Sequence, residues 1–130
     1  MAGWFTVALL LGIAAPLAAA SKATDVTAAR AQTLIQEKAK RPEFVILDVR
    51  TPQEFSEGHL SGAVNVNSAA PDFQAKLGAL DRSKEYLVYC RSGNRSQQAV
   101  RAMEQLDFKS LYHMYQGVLG WQEKKLPLVK

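Results

Sequence analysis

Apolar and polar positions along the chain follow two periods, one helical and one strand-like, and they alternate from end to end. In "TDVTAARAQTLIQEKAK", Ala28, Ala31, Leu34, Ile35 and Lys38 fall on one helical stripe, with Thr27 placed to cap it. "FVIL", Phe44 to Leu47, is a short continuous apolar run ending at Asp48, which predicts a strand buried on both faces. "TPQEFSEGH" then carries a complete helix start and stop: Thr51 as cap, Pro52 at the first helical position, Glu54 closing a capping box and Gly58 ending the turn. "AVNV", Ala63 to Val66, predicts a second short strand, and after Pro71 the residues Phe73, Leu77 and Leu80 recur at helical spacing. "YLVYC" predicts a third strand, Ala99, Val100, Met103 and Leu106 a helix face from Ser96 onward, and "SLYHMY" a fourth strand before Gly117. A last short helix carries Trp121 ahead of Leu126 and Pro127. Strands alternating with helices over connections this short imply βαβ units, so the fold class is α/β, with a mainly parallel sheet and helices on both faces.

The first twenty residues break this pattern. Met1 to Ala20 contains no charged side chain, and "WFTVALLLGIAAPLAAA" runs unbroken from Trp4 to Ala20. Gly12, Pro16 and the alanine run weaken it as a permanent membrane helix, while Ala18-Ala19-Ala20 before Ser21 supplies an Ala-x-Ala cleavage pattern. Residues 1–20 therefore read as a secretory signal peptide, cleaved to leave a single domain over residues 21–130 that is periplasmic or secreted. Retention of residues 1–20 as a membrane anchor is the alternative.

All 16 Lys and Arg and all 12 Asp and Glu lie after residue 20, so the domain keeps the whole net charge of +4. The basic residues form no long run, and no aromatic side chains are interleaved with them to stack on bases. Nucleic acid is not an expected partner; a small anion suits a modest excess of this kind.

One cysteine in 130 residues excludes an internal disulfide and metal sites built on paired thiolates, and no metal or cofactor is expected. Cys90 stands in "YCRSGNRS", at the end of an apolar strand and before a helix. Open parallel sheets bind ligands at the carboxyl ends of their strands, so the cysteine occupies the place where this architecture puts its chemistry. A turn through Ser92, Gly93 and Asn94 can aim backbone N–H groups inward as an anion nest, and the helix beginning near Ser96 points its positive end at the loop. Arg91 and Arg95 add positive charge. A free thiol titrates near about 8.5, and such surroundings lower that value, favouring the nucleophilic thiolate. The cradle could take a phosphate, an arsenate or a sulfur oxyanion. Cysteine phosphatases place five residues between cysteine and arginine; here four, Arg91 to Asn94, separate Cys90 from Arg95, one too few for that pattern.

With these motifs the chain resembles the rhodanese (thiosulfate sulfurtransferase) family over nearly all of its length after the leader. "LDVRTPQEFSEGHLSGAVNV", Leu47 to Val66, is similar to the family's first signature, "YCRSGNRS" to its active loop, and "YQGVLGWQEKKLP" to its closing turn, helix, Trp and Pro. Gln116 departs from the family pattern, which often has the first of two glycines there. A leader followed by one such domain is similar to the single-domain periplasmic type represented by phage shock protein E.

The resemblance implies a three-layer fold around a five-stranded sheet, and a sulfurtransferase with Cys90 as the persulfide-forming nucleophile. Arg91, Ser92, Gly93, Asn94 and Arg95 would form the anion cradle, with thiosulfate as sulfur donor and cyanide, a small thiol or a thiol protein as acceptor. Either Arg91 or Arg95 would hold the sulfonate. A monomer is expected. A sulfane-sulfur carrier or redox-sensing module acting through a partner thiol protein is the alternative, and a phosphatase or arsenate reductase is disfavoured by loop length. Asp48 and Arg50, at the end of a strand, are supporting residues, read as an internal ion pair near the rim of the site. His59 is read as structural, His113 as a satisfied core histidine, and Trp121 with Leu119 and Leu126 as core filling.

Overall fold

A computed structural model describes residues 22–130 together with Gly3 and Gly12. The apolar leader and its junction at Ser21 lie outside the described residues. Ten elements follow in strict alternation: β1 (Thr24–Val26), α1 (Ala28–Lys38), β2 (Phe44–Asp48), α2 (Pro52–Glu57), β3 (Val64–Asn65), α3 (Phe73–Ala79), β4 (Glu85–Tyr89), α4 (Asn94–Gln105), β5 (Ser110–Met114) and α5 (Gly117–Glu123). The strands form one sheet in the order β1-β5-β4-β2-β3, and every pairing is parallel.

Side chains of successive strand residues point to opposite faces, and the core divides accordingly. On one face Leu47, Val49, Tyr86, Val88 and Leu111 pack with Phe73 and Leu77 of α3 and with Ala99, Val100 and Met103 of α4. On the other, Phe44, Ile46, Leu87, Tyr89 and Met114 pack with Ala28, Ala31 and Leu34 of α1 and with Val118 and Trp121 of α5. The result is three layers, helices on both faces of a parallel sheet.

Local signals set the helix ends. Thr27 Oγ1 accepts from Arg30 N at the start of α1, and Thr51 and Glu54 close the capping box of α2 in both directions. Each such cap offsets a backbone donor that the first turn leaves without a partner. Lys38 keeps its place on the α1 stripe half-buried, with its ammonium turned to Glu85, 2.8 Å away.

Three elements differ from the sequence expectation. β1 is a strand carved from the residues ahead of α1; only Val26 of its three residues is buried, so no alternation marks it, and it exists through its pairing with β5. The "AVNV" run is reduced to two paired residues, Val64 and Asn65, because it forms the sheet edge and Val64 is half exposed. α4 begins at Asn94, two residues before Ser96, with Gly93 as its N-cap. Leu119, expected in the core, is 42% exposed, whereas Trp121 is buried and donates Nε1–H to Pro127 O.

After β2 the chain turns outward to β3, and after β4 it turns the other way to β5. The carboxyl ends of β2 and β4 therefore diverge at a switch point, where ligands of open α/β sheets bind. Leu87, fully buried at the middle of β4, tests how much this scaffold depends on its central strand. Leu87→Ala is expected to lower the free energy of unfolding by about 2–5 kcal/mol, read as an earlier urea midpoint with an unchanged slope.

Candidate active site

Cys90 follows the last residue of β4 and is 1% exposed, while the next two residues, Arg91 and Ser92, are exposed. The chain then passes through Gly93, whose left-handed backbone (φ 101°) turns it into α4. Gly93 N–H donates to Cys90 Sγ over 3.1 Å, and Ser96 Oγ lies 3.2 Å from the same sulfur. The Ser96 hydroxyl also lies 3.1 Å from Gly93 O and 2.7 Å from His113 Nε2.

These contacts decide the ionisation of the thiol. Burial pushes Cys90 up, but the Ser96 hydroxyl and the backbone N–H groups of Ser96, Gly93 and Ser92 together outweigh it and hold the thiol below its ordinary value. Hydrogen bonds to the charged form favour that form. Hydroxyl and backbone donors, rather than the neighbouring guanidinium groups, thus carry most of the effect.

The two loop arginines have different situations. Arg95 is engaged by Glu54 in a two-pronged ion pair, Nη1 to Oε1 at 2.7 Å and Nη2 to Oε2 at 2.9 Å. That guanidinium, first among several partners, holds the Glu54 carboxyl down at about 2. Arg91 is exposed and lines a cavity of about 330 Å³ together with Arg50, Glu54, Val118, Leu119 and Leu128. A second cavity, of about 310 Å³, has Arg95, Ser68, Phe73 and Gln98 on its walls.

Asp48 and Arg50 lie deeper than the rim. Both are buried, with Arg50 Nε 3.0 Å and Nη2 2.7 Å from Asp48 Oδ2, and Arg50 Nη2 also reaches Gly58 O. Asn65 Nδ2 binds the carbonyls of both residues, so the pair ties β2 to β3 and to the end of α2. Arg50 additionally reaches the wall of the larger cavity.

His59 stacks on Phe55 with ring centroids 3.7 Å apart and pairs its backbone with Val129, away from the sulfur. His113 is buried as expected, but it is not fully satisfied: Nδ1 has no hydrogen-bond partner among the described residues. Gln116 adopts an ordinary right-handed backbone (φ −77°), so no glycine is needed there, and its Oε1 accepts from Ala28 N at the start of α1. The glycine that matters is Gly117, at φ 65°, where a Cβ would stand 2.3 Å from Arg91 O.

Ser96, Glu54 and His113 are the site neighbours that sequence reasoning did not assign. Ser96 had a usable signal, since the third residue of a helix entered from a Gly93 cap turns its side chain back over the loop. The other two come from 41 residues before Arg95 and 17 residues after Ser96, with no local pattern to join them.

A parallel five-stranded α/β sheet with a cysteine loop at its switch point and hydrogen-bond donors converging on the sulfur defines a domain built around one polarised thiol. The sequence matches the rhodanese-like domain over residues 27–124, and the chain belongs to that family. It is 35% identical over 91 residues to thiosulfate sulfurtransferase 16, chloroplastic, of Arabidopsis thaliana, covering 62% of this chain and 76% of that one. It is 26% identical over 98 residues to a sulfurtransferase of Allochromatium vinosum, covering 75% and 90%. The crystal structure of a rhodanese-related protein from Thermoplasma volcanium, 28% identical, superposes with a TM-score of 0.68 over 84% of this chain and 98% of that one. Fold and family are those of sulfurtransferases.

The Glu54–Arg95 pair gives a pH-dependent test. Glu54 has a folded value of about 2, below the ordinary 4.5, so its stabilisation is complete above the unfolded value and disappears as pH falls through the folded one. Glu54→Gln keeps the capping-box geometry but loses the charge. Urea denaturation should find the variant less stable than the parent above pH ~4.5, with the difference closing as pH falls toward ~2; a constant gap at all pH values would rule out the ion pair as its cause.

Proposed function

We propose that the protein is a thiosulfate sulfurtransferase that carries sulfane sulfur on Cys90. The observation that carries this reading is the donor set converging on one sulfur atom, Gly93 N–H at 3.1 Å and Ser96 Oγ at 3.2 Å, which lowers the thiol's proton affinity in spite of burial. An activated thiolate at a strand end is suited to covalent catalysis. Family membership supports sulfur transfer in general, and the short loop supports an attacked atom smaller than a phosphoryl group.

In the first half-reaction the Cys90 thiolate attacks the outer sulfur of thiosulfate. A new S–S bond forms, the S–S bond of thiosulfate breaks, and sulfite leaves with the bonding electron pair. The persulfide on Cys90 is held by the same N–H and hydroxyl donors. In the second half-reaction cyanide or a thiolate attacks the outer sulfur, giving thiocyanate or a new persulfide and restoring the Cys90 thiolate. Arg91 is the cation we assign to the departing sulfonate, since Arg95 is engaged by Glu54 and Arg91 lines the open cavity. We further propose that residues 1–20 direct export, so that the domain works in the periplasm in the manner of the phage shock protein E type.

Intact mass after exposure to thiosulfate should rise by one sulfur atom, and cyanide should remove it with release of thiocyanate. Cys90→Ser should abolish both. Thiocyanate formation at the parent rate by that variant would overturn the proposal, and sulfur loading without measurable turnover on cyanide or small thiols would favour a carrier that delivers to a protein thiol.

A further inference from the structure

A line of polar side chains runs from Cys90 to the far edge of the sheet, and the sulfur-transfer steps above use only its first two members, Cys90 and Ser96. Sγ lies 3.2 Å from Ser96 Oγ, and that oxygen lies 2.7 Å from His113 Nε2. The other ring nitrogen, Nδ1, is buried with no hydrogen-bond partner among the described residues and stands 3.3 Å from Asp25 Oδ1, inside ion-pair range but outside hydrogen-bond geometry. Four elements supply the four residues: the end of β4, the first turn of α4, β5 and β1. Asp25 and His113 are register partners across the β1–β5 pairing. Ser96 and His113 are buried, whereas the Asp25 side chain is 66% exposed.

The groups facing His113 come from every strand and helix packed on it. Asp25 on β1 is the charged one, Ser96 on α4 is the polar one, and β4 contributes the apolar Val88 alongside and Cys90 beyond it. The Ser96 hydroxyl has a single proton and three acceptors within reach: Gly93 O, Nε2 and Sγ. A carboxylate beside Nδ1 favours a proton on that nitrogen. With the ring neutral, Nε2 is then a lone pair that draws the Ser96 proton, and the sulfur faces oxygen lone pairs, an arrangement that suits a thiol. With Nε2 protonated as well, the ring donates to Ser96 Oγ and the hydroxyl proton turns to the sulfur, which suits a thiolate.

We infer that Asp25, His113 and Ser96 form a positioning relay through which Cys90 and His113 ionise together. The thiol proton passes to Ser96 Oγ as the Ser96 proton passes to Nε2. One proton leaves the sulfur, one arrives at the ring, and none is exchanged with solvent. The products are a thiolate and an imidazolium whose Nδ1–H faces Asp25. Burial holds His113 below the ordinary imidazole value in spite of Asp25, and a thiolate formed across Ser96 favours the second proton on the ring. Such a pair titrates as a unit rather than as two separate groups.

This inference rests on Cys90 as the nucleophile proposed above, and its test reads ionisation instead of sulfur transfer. The chain has two histidines, so ¹⁵N NMR of the imidazoles resolves His113 from His59. At a pH where Cys90 is alkylated rapidly by iodoacetamide, His113 should carry protons on both nitrogens, and in Cys90→Ala it should be neutral at the same pH. Asp25→Asn, at an exposed position, should move the alkylation profile to higher pH and slow the reaction at neutral pH by about tenfold; His113→Gln should do the same or more. A neutral His113 beside a reactive Cys90, or Asp25→Asn and parent profiles that superimpose, would overturn the relay. The ring measurement on the unmutated protein holds even where His113→Gln does not fold. Coupled ionisation without sulfur uptake would sink the sulfurtransferase reading and leave the relay standing, and the reverse outcome would do the opposite.

Discussion

The site depends on where two carbonyl groups point. Cys90 O accepts from Val118 N at 3.0 Å and Arg91 O accepts from Leu119 N at 3.1 Å, so the first two peptide units after β4 are tied to the first turn of α5. In a planar trans peptide the N–H points opposite to the C=O. Holding both carbonyls against α5 therefore turns the N–H groups of Arg91 and Ser92 away from it, toward the interior of the loop. Gly117 makes the approach feasible, because any side chain there would meet Arg91 O, and Gly93 lies as close against Tyr115 O. The turn between β5 and α5 is the mould in which the cysteine loop is shaped.

Around that loop, two ion pairs set opposite charges against each other. Asp48 neutralises Arg50 within the protein, where both would otherwise be costly; Arg50 Nη2 also donates to Gly58 O, and the Asn65 side-chain amide donates to the backbone carbonyls of Asp48 and Arg50. Glu54 belongs at once to the N-terminal cap of α2 and to Arg95, so a helix end on one side of the crevice is coupled to the first turn of α4 on the other. Arg91 has no such ion pair among the described residues and is exposed beside the larger cavity.

Much of this was legible in the sequence because it is local. The buried run Phe44 to Leu47, the Thr51–Glu54 capping box, the helical spacing of Ala99, Val100 and Met103, and Cys90 between a strand and a helix depend on neighbours a few residues apart. What escaped reading depends on residues brought together by the sheet. β1 carries one buried residue and becomes a strand only when β5 lies beside it. His113 has the sequence context of a core residue, and in packing terms it is one; its polar contacts follow from register with Asp25 and from the pitch of α4 above it. Arg95 was legible as a cation near the thiol but not as half of an ion pair, since its partner lies four elements earlier in the chain.

The pairing of β1 with β5 joins the first and last strands of the sheet, and this bears on when the site comes into being. Contacts between distant parts of a chain form late, because loop closure must precede them. The loop around Cys90 needs α5, and His113 meets Asp25 only once the N-terminal strand has docked. A chain still emerging, or folded only as far as α4, therefore carries a cysteine with neither its mould nor its distal acid. The set of contacts around the thiol is complete only once the two ends of the domain have found each other.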